Sequence, residues 1–372
     1  EDTLCILLKL FMENKEAAAG VYSFLGKIYQ FGSSKDVFFV YKAAKVLKFY
    51  HLEDYIYHTL SQGEREFLEE KKQSPWRLSR EAQAEKYPSF VCKNETDARF
   101  LELLEEISGK DDKTLTKEMI AALEVIKKED KHVYENLVEF YEKHTWWGRL
   151  APQKEDYETF DLRAQLLTKN RERFLKLYTM LADYRSKRVL NALLESWMHL
   201  TKESLLLAAE SNPQVFDPDL IVDAQGKMLV DFWATEGNDV KSFLQAYGDA
   251  YERILCYVKT EEDELRLRCN LRGVKRLEVI RRDPESVSLD KDISGSAGII
   301  RIQGEGEEKE LLDCCSAQLA AYRPALVVSA YYGYETLFVL AERILQINPS
   351  YRLYLRYYGD ALVPSDYYLI AV

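Results

Sequence analysis

The chain has 372 residues, 47% hydrophobic and 30% charged, which is apolar material for more than one folded core and not the composition of a disordered chain. Acidic residues number 62 against 51 basic ones, for a formal charge of −11, so a diffuse phosphate-binding surface is not the default reading and nucleic acid is not expected as a main partner. No stretch reaches the ~20 consecutive apolar residues of a membrane span, and the first residues lack the basic start and small-residue cleavage site of a secretory leader. A cytoplasmic location follows as the expectation. The six cysteines, Cys5, Cys92, Cys256, Cys269, Cys314 and Cys315, contain no Cys-x-x-Cys pair, and neither a disulfide framework nor a metal site is expected.

The first 150 residues read as helix after helix. Residues 16–30, 35–60, 95–109, 116–128 and 132–143 each place apolar side chains three and four apart with charges between them. Asp111, Asp112 and Thr114 stand before one of these helices as cap residues, and Ser108-Gly109 closes the one before it. A polar, proline-marked stretch near 73–92 predicts a linker that divides this region into two subdomains. No fixed repeat period emerges, so a solenoid is not indicated. A second break at 146–156, with Gly148 and Pro152, precedes a helical lead-in over 151–212, in which 157–203 reads as amphipathic helix.

From about residue 213 the pattern changes. Short apolar runs at 228–230, 253–258, 277–280, 298–302 and 325–329 alternate with helical stretches at 239–247, 261–271, 307–322 and 334–347. Alternation of this kind implies βαβ units, and therefore a mostly parallel sheet with its ligand crevice beyond the carboxyl ends of the strands. Runs at 351–356 and 367–372 predict an antiparallel edge pair. The expected architecture is α/β: a Rossmann-like domain over 213–372, preceded by an all-α region.

Within 213–372 a series of motifs stands in order. Leu229-Val230-Asp231-Phe232-Trp233-Ala234-Thr235-Glu236-Gly237-Asn238-Asp239 resembles the first motif of the FkbM-type methyltransferases. Leu267-Arg268-Cys269-Asn270-Leu271, Ser288-Leu289-Asp290, and Ile300-Arg301-Ile302-Gln303-Gly304-Glu305-Gly306-Glu307-Glu308 are similar to later segments of that family. The lead-in Leu181-Ala182-Asp183-Tyr184-Arg185-Ser186 and the strand residues Tyr351 to Arg356 extend the likeness over about 170–372. The resemblance implies a class I methyltransferase fold, S-adenosylmethionine as cofactor, and a sugar or other hydroxyl compound as methyl acceptor. It also implies a cofactor site at Asp231, Trp233, Glu236, Gly237, Val258, Gln303 and Glu305, with Glu305 and Gln303 nearest the chemistry.

Three of those positions depart from the family pattern. Trp233 replaces the first glycine of the turn, where the backbone must approach the cofactor closely. Val258 replaces the acid that accepts both ribose hydroxyls, and charged hydrogen bonds of that kind are worth about 1.5–3 kcal/mol each. Gln303 replaces an aspartate, keeping its shape without its basicity. Tyr332 and Tyr357 stand where the family has histidines, and all five histidines, His51, His58, His132, His144 and His199, precede the α/β domain. These losses imply weakened or absent cofactor binding in a binding or scaffold module, with the helical N-terminal region as the surface for a protein partner. The alternative is an active O-methyltransferase on a carbohydrate or small hydroxyl acceptor, using Asp231, Glu236, Gly237 and Glu305.

The remaining motifs read more plainly. Gly304-Glu305-Gly306-Glu307 lacks the Gly-Lys-Ser/Thr ending of a phosphate loop and carries acids that repel phosphate. The tyrosines from Tyr322 to Tyr368 read as sheet residues packed on helices, with a carbohydrate-stacking platform as the other reading. His144-Thr145-Trp146-Trp147 reads as a hydrophobic contact.

Overall fold

The computed structural model describes residues 87, 90–210, 215–222, 227–283, 286–359 and 362–372. The expected helices at 16–30 and 35–60, and nearly all of the linker near 73–92, lie outside the described residues. The chain divides into two compact units, Glu1–Val91 and Cys92–Val372, and the architecture below is that of the second.

Seven helices come first: α1 (Glu95–Ser108), α2 (Asp112–Glu129), α3 (Lys131–Lys143), α4 (Glu158–Lys169), α5 (Arg171–Met180), α6 (Tyr184–His199) and α7 (Glu203–Ala208). Their starts follow capping chemistry. Asn94, Asp111, Asp130 and Asp183 each accept a backbone N–H of the first turn of α1, α2, α3 and α6. Gly109 follows α1, and its N–H donates to the Glu105 carbonyl. On α1 the inward face is Phe100, Leu101, Leu103, Leu104 and Ile107, the three- and four-residue spacing that the sequence shows.

The stretch 157–203 is three helices rather than one. Asn170 ends α4 and begins α5, and at 181–183 the chain leaves the helix to touch the sheet: the Ala182 N–H donates to the Leu353 carbonyl at 2.8 Å. Sequence-local periodicity carries no sign of a contact made 171 positions away.

The second half is a seven-stranded sheet: β1 (Leu229–Phe232), α8 (Asn238–Tyr247), β2 (Ile254–Val258), α9 (Glu261–Asn270), β3 (Leu277–Arg281), α10 (Leu289–Asp292), β4 (Ile299–Ile302), α11 (Glu308–Cys314), α12 (Ser316–Tyr322), β5 (Ala325–Ser329), α13 (Thr336–Ile347), β6 (Leu353–Tyr357) and β7 (Tyr367–Ala371). The order across the sheet is β3-β2-β1-β4-β5-β7-β6. The first five strands are parallel, and β7 runs antiparallel to both neighbours, β5 and β6. The expected antiparallel pair is therefore present, with β7 inserted inside β6. Every residue of β1, β2, β4, β6 and β7 is buried, which is why these strands read as near-continuous apolar runs. Strand order reverses at β1/β4, and the loops leaving β1, β2, β4 and β5 open together there.

Candidate functional site

Three charged residues interrupt those apolar runs, Arg356 on β6 and two others that meet each other. Asp231 on β1 and Arg301 on β4 are register partners in neighbouring strands, 0% and 2% exposed. The Arg301 guanidinium donates to Asp231 Oδ1 at 3.2 Å, pairs with Asp239 Oδ2 at 2.7 Å at the start of α8, and also donates to the Gln303 amide oxygen. Asp231 Oδ2 and Arg301 Nε have no hydrogen-bond partner among the described residues. Burial pushes the Asp231 carboxyl up to about 7, against the opposing pull of Arg301 and with help from the negative charge of Asp239.

The turn after β1 ends in Gly237, whose φ of +74° places it in the left-handed region before α8. A Cβ there would lie 2.8 Å from Leu271 Cγ and 3.0 Å from Leu267 Cδ1, so glycine lets the turn close against α9. Asn270 at the end of α9 fixes the same turn by donating to the Glu236 carbonyl and carboxylate, each at 3.1 Å. Trp233 also has a positive φ, +57°, and is 6% exposed. Its indole N–H donates to Glu307 Oε2 at 3.0 Å. The Lys259 ammonium reaches that same oxygen at 2.7 Å and sits 5.0 Å from the centroid of the Trp233 ring. These three side chains, from the loops after β1, β2 and β4, form a clasp.

A cavity of about 360 Å³ lies beyond these strand ends, bordered by Trp233, Gly237, Val258, Arg301, Gln303 and Glu305, with Glu236 and Asp239 also on its wall. The indole therefore stands in the crevice, not in the core behind the turn. Val258 is 1% exposed and presents no acceptor. Gln303 has both ends of its amide engaged, for besides the bond from Arg301 it donates to the Tyr332 hydroxyl at 3.1 Å. Glu305 is exposed at the rim with φ +53°.

Glu308, 1% exposed, holds the loop behind Gln303. Its carboxylate accepts the Gly304 N–H at 2.9 Å, the Gly306 N–H at 3.0 Å and the Ser329 hydroxyl at 2.9 Å, while burial raises its pKa. Beside this loop the tail tyrosines are mostly sheet and core residues: Tyr331, Tyr332, Tyr351, Tyr354, Tyr357, Tyr367 and Tyr368 are all buried. Trp147 is buried and Trp146 is 38% exposed, its ring meeting Tyr332 edge-on at 5.1 Å. A second cavity, of about 600 Å³, lies between α4, Trp146 and the start of α13.

With this geometry established, the chain can be set beside known proteins. It is similar in structure to the FkbM methyltransferase from Methylobacillus flagellatus KT, with a TM-score of 0.51 and 21% identity over 57% of this chain and 61% of that one. The fold is that of a class I methyltransferase. The chain thus spans about 61% of the length of that relative. An S-adenosylmethionine-dependent O-methyltransferase from Thermotoga maritima matches at TM-score 0.32 and 15% identity, over 41% of this chain and 61% of that one. A Streptococcus mutans methyltransferase crystallised with S-adenosylhomocysteine matches at 0.32 and 13%, over 43% and 96%. No protein-family model matches the chain, and no curated protein does.

All seven sequence-derived positions, Asp231, Trp233, Glu236, Gly237, Val258, Gln303 and Glu305, thus lie on or beneath one crevice of a methyltransferase fold. Sequence reasoning missed Arg301, Lys259, Glu307, Glu308 and Asn270 as parts of the site. For Arg301 a signal was present: a lone charge in an apolar strand, in step with the lone charge of β1.

Proposed function

We propose that this methyltransferase-fold chain is a binding or scaffold module whose crevice has weakened or lost affinity for S-adenosylmethionine, with the helical N-terminal region, residues 1–150, as the surface for a protein partner in the cytoplasm. The observation that carries this reading is the Trp233 indole, tied to Glu307 and covered by Lys259, standing in the crevice beside Val258. The residues present do not fit the cofactor. To enter, it must break the indole–Glu307 and Lys259–Glu307 contacts, and its ribose hydroxyls then meet a valine that accepts no hydrogen bond. At position 303 the base is missing, because the Gln303 amide is neutral and bonded at both ends, and the carboxylate nearby in sequence, Glu305, stands exposed at the rim.

Calorimetric titration with S-adenosylmethionine and S-adenosylhomocysteine tests this directly: no binding is expected, and micromolar binding overturns the reading. Such binding would indicate the alternative, an active O-methyltransferase on a carbohydrate or small hydroxyl acceptor, which the unpartnered Asp231 Oδ2 favours. The double change Trp233→Gly with Val258→Glu is expected to raise cofactor affinity at least about tenfold, the value of one charged hydrogen bond. No gain would move the cause from these two positions to the remainder of the crevice.

A further inference from the structure

Lys259 and Trp233, both on the wall of the cavity, make a cation–π contact. The ammonium lies 5.0 Å from the indole centroid, within the range where the ring's quadrupole attracts a cation, and Glu307 Oε2 receives both the ammonium and the indole N–H. The ring is held there by a backbone at φ +57°, a conformation that a bulky residue keeps only where its surroundings enforce it. An aromatic face with a carboxylate beside it recognises organic cations.

The charge around it agrees. Arg301 is matched by Asp231 and Asp239, Glu236 is paired with Arg266 and Lys259 with Glu307, which leaves Asp263 and Glu305 on the cavity wall with no ion pair among the described residues. Asp231 Oδ2, buried and without a partner among the described residues, lies beneath the same wall. Lys259 itself is 34% exposed on a flexible stem, so it can swing outward without disturbing β2.

We infer that Trp233 and Glu307 form a subsite for a small quaternary ammonium group, which the chain's own Lys259 fills until a ligand displaces it. The inference concerns the same crevice and rests on the reading that the native chain leaves it without S-adenosylmethionine.

The test compares choline with its neutral isostere 3,3-dimethyl-1-butanol by calorimetric titration in every variant, and where the indole is present the Trp233 N–H resonance, assigned by its loss in Trp233→Phe, reports the site. In Lys259→Ala, choline binds about tenfold tighter than the isostere and about tenfold tighter than it binds the native chain, the size of one desolvated cation–π contact. Adding Trp233→Leu abolishes the preference; adding Trp233→Phe, which keeps an aromatic face should the leucine variant not fold, reduces it. Glu307→Gln weakens choline and leaves the isostere unchanged. Equal binding of the two probes, no saturable shift of that resonance, or a preference that survives both Trp233 changes overturns the subsite and leaves the module reading intact. Micromolar S-adenosylmethionine binding by the native chain overturns the module reading, and with it the inference that rests on it.

Discussion

Arg356 and Arg301 are both charges set in apolar strands, both almost fully buried, and the protein treats them differently. Arg356 on β6 donates from every guanidinium nitrogen: to Asp217 at 3.3 Å, to Ser186 Oγ at 2.9 Å, to the Leu355 carbonyl at 3.1 Å and to Asp183 Oδ2 at 2.7 Å, with Glu210 3.4 Å away. It pins the start of α6 to the sheet. Arg301 on β4 leaves Nε unused and faces an Asp231 oxygen that is also unused. Leaving a buried polar group unbonded costs about 1–3 kcal/mol, so proteins complete their structural pins. The incomplete network sits under the cavity, with Arg301 on its wall.

This contrast can be broken by measuring stability in urea. Arg356→Met leaves Asp183 and Asp217 without their cation, while Glu210 keeps Arg185, and is expected to cost about 3–5 kcal/mol. Arg301→Met is expected to cost about 1–3 kcal/mol, because Asp231 can take up a proton instead and Asp239 is 22% exposed to water. Equal losses would erase the distinction between pin and floor. Gly237→Ala, which strains the turn above that floor, is expected to cost a similar 1–3 kcal/mol and to shift crevice resonances more than those near Arg356.

The smallest effects concern pH, and they have opposite signs. Glu106 on α1 accepts from His199 and Lys110, which hold its carboxyl at about 2 although burial opposes them. Its folded pKa lies below the reference 4.5, so the stability it contributes is present above that value and lost as pH falls toward 2. Asp231 is raised from 3.8 to about 7, so its contribution is present below 3.8 and lost as pH rises through 7. Stability profiles of Glu106→Gln and Asp231→Asn are expected to flatten on the acid and neutral limbs respectively. Flattening of the same limb by both would contradict the opposite signs.

Most strands were legible because burial on both faces writes them as near-continuous apolar runs, and the crevice residues because motifs keep their spacing along the chain. The clasp was not. Trp233, Lys259 and Glu307 lie on three separate loops, and only the parallel register of β1, β2 and β4 brings them to one point. Likewise Cys315 divides the stretch expected as one helix at 307–322 into α11 and α12, a break that its apolar spacing does not announce. Asp111 as the cap of α2 and the glycine after α1 were readable because their chemistry is local, whereas Asp112 and Thr114, expected before that helix, lie in its first turn.

The insertion of β7 between β5 and β6 sets an order of events during synthesis. After β5 leaves the ribosome, one of its edges stays open through α13 and β6, until residues 367–371 arrive to pair with both strands. An open apolar edge is a template for pairing with another chain, so the nascent protein passes through an interval of exposure that its finished sheet conceals.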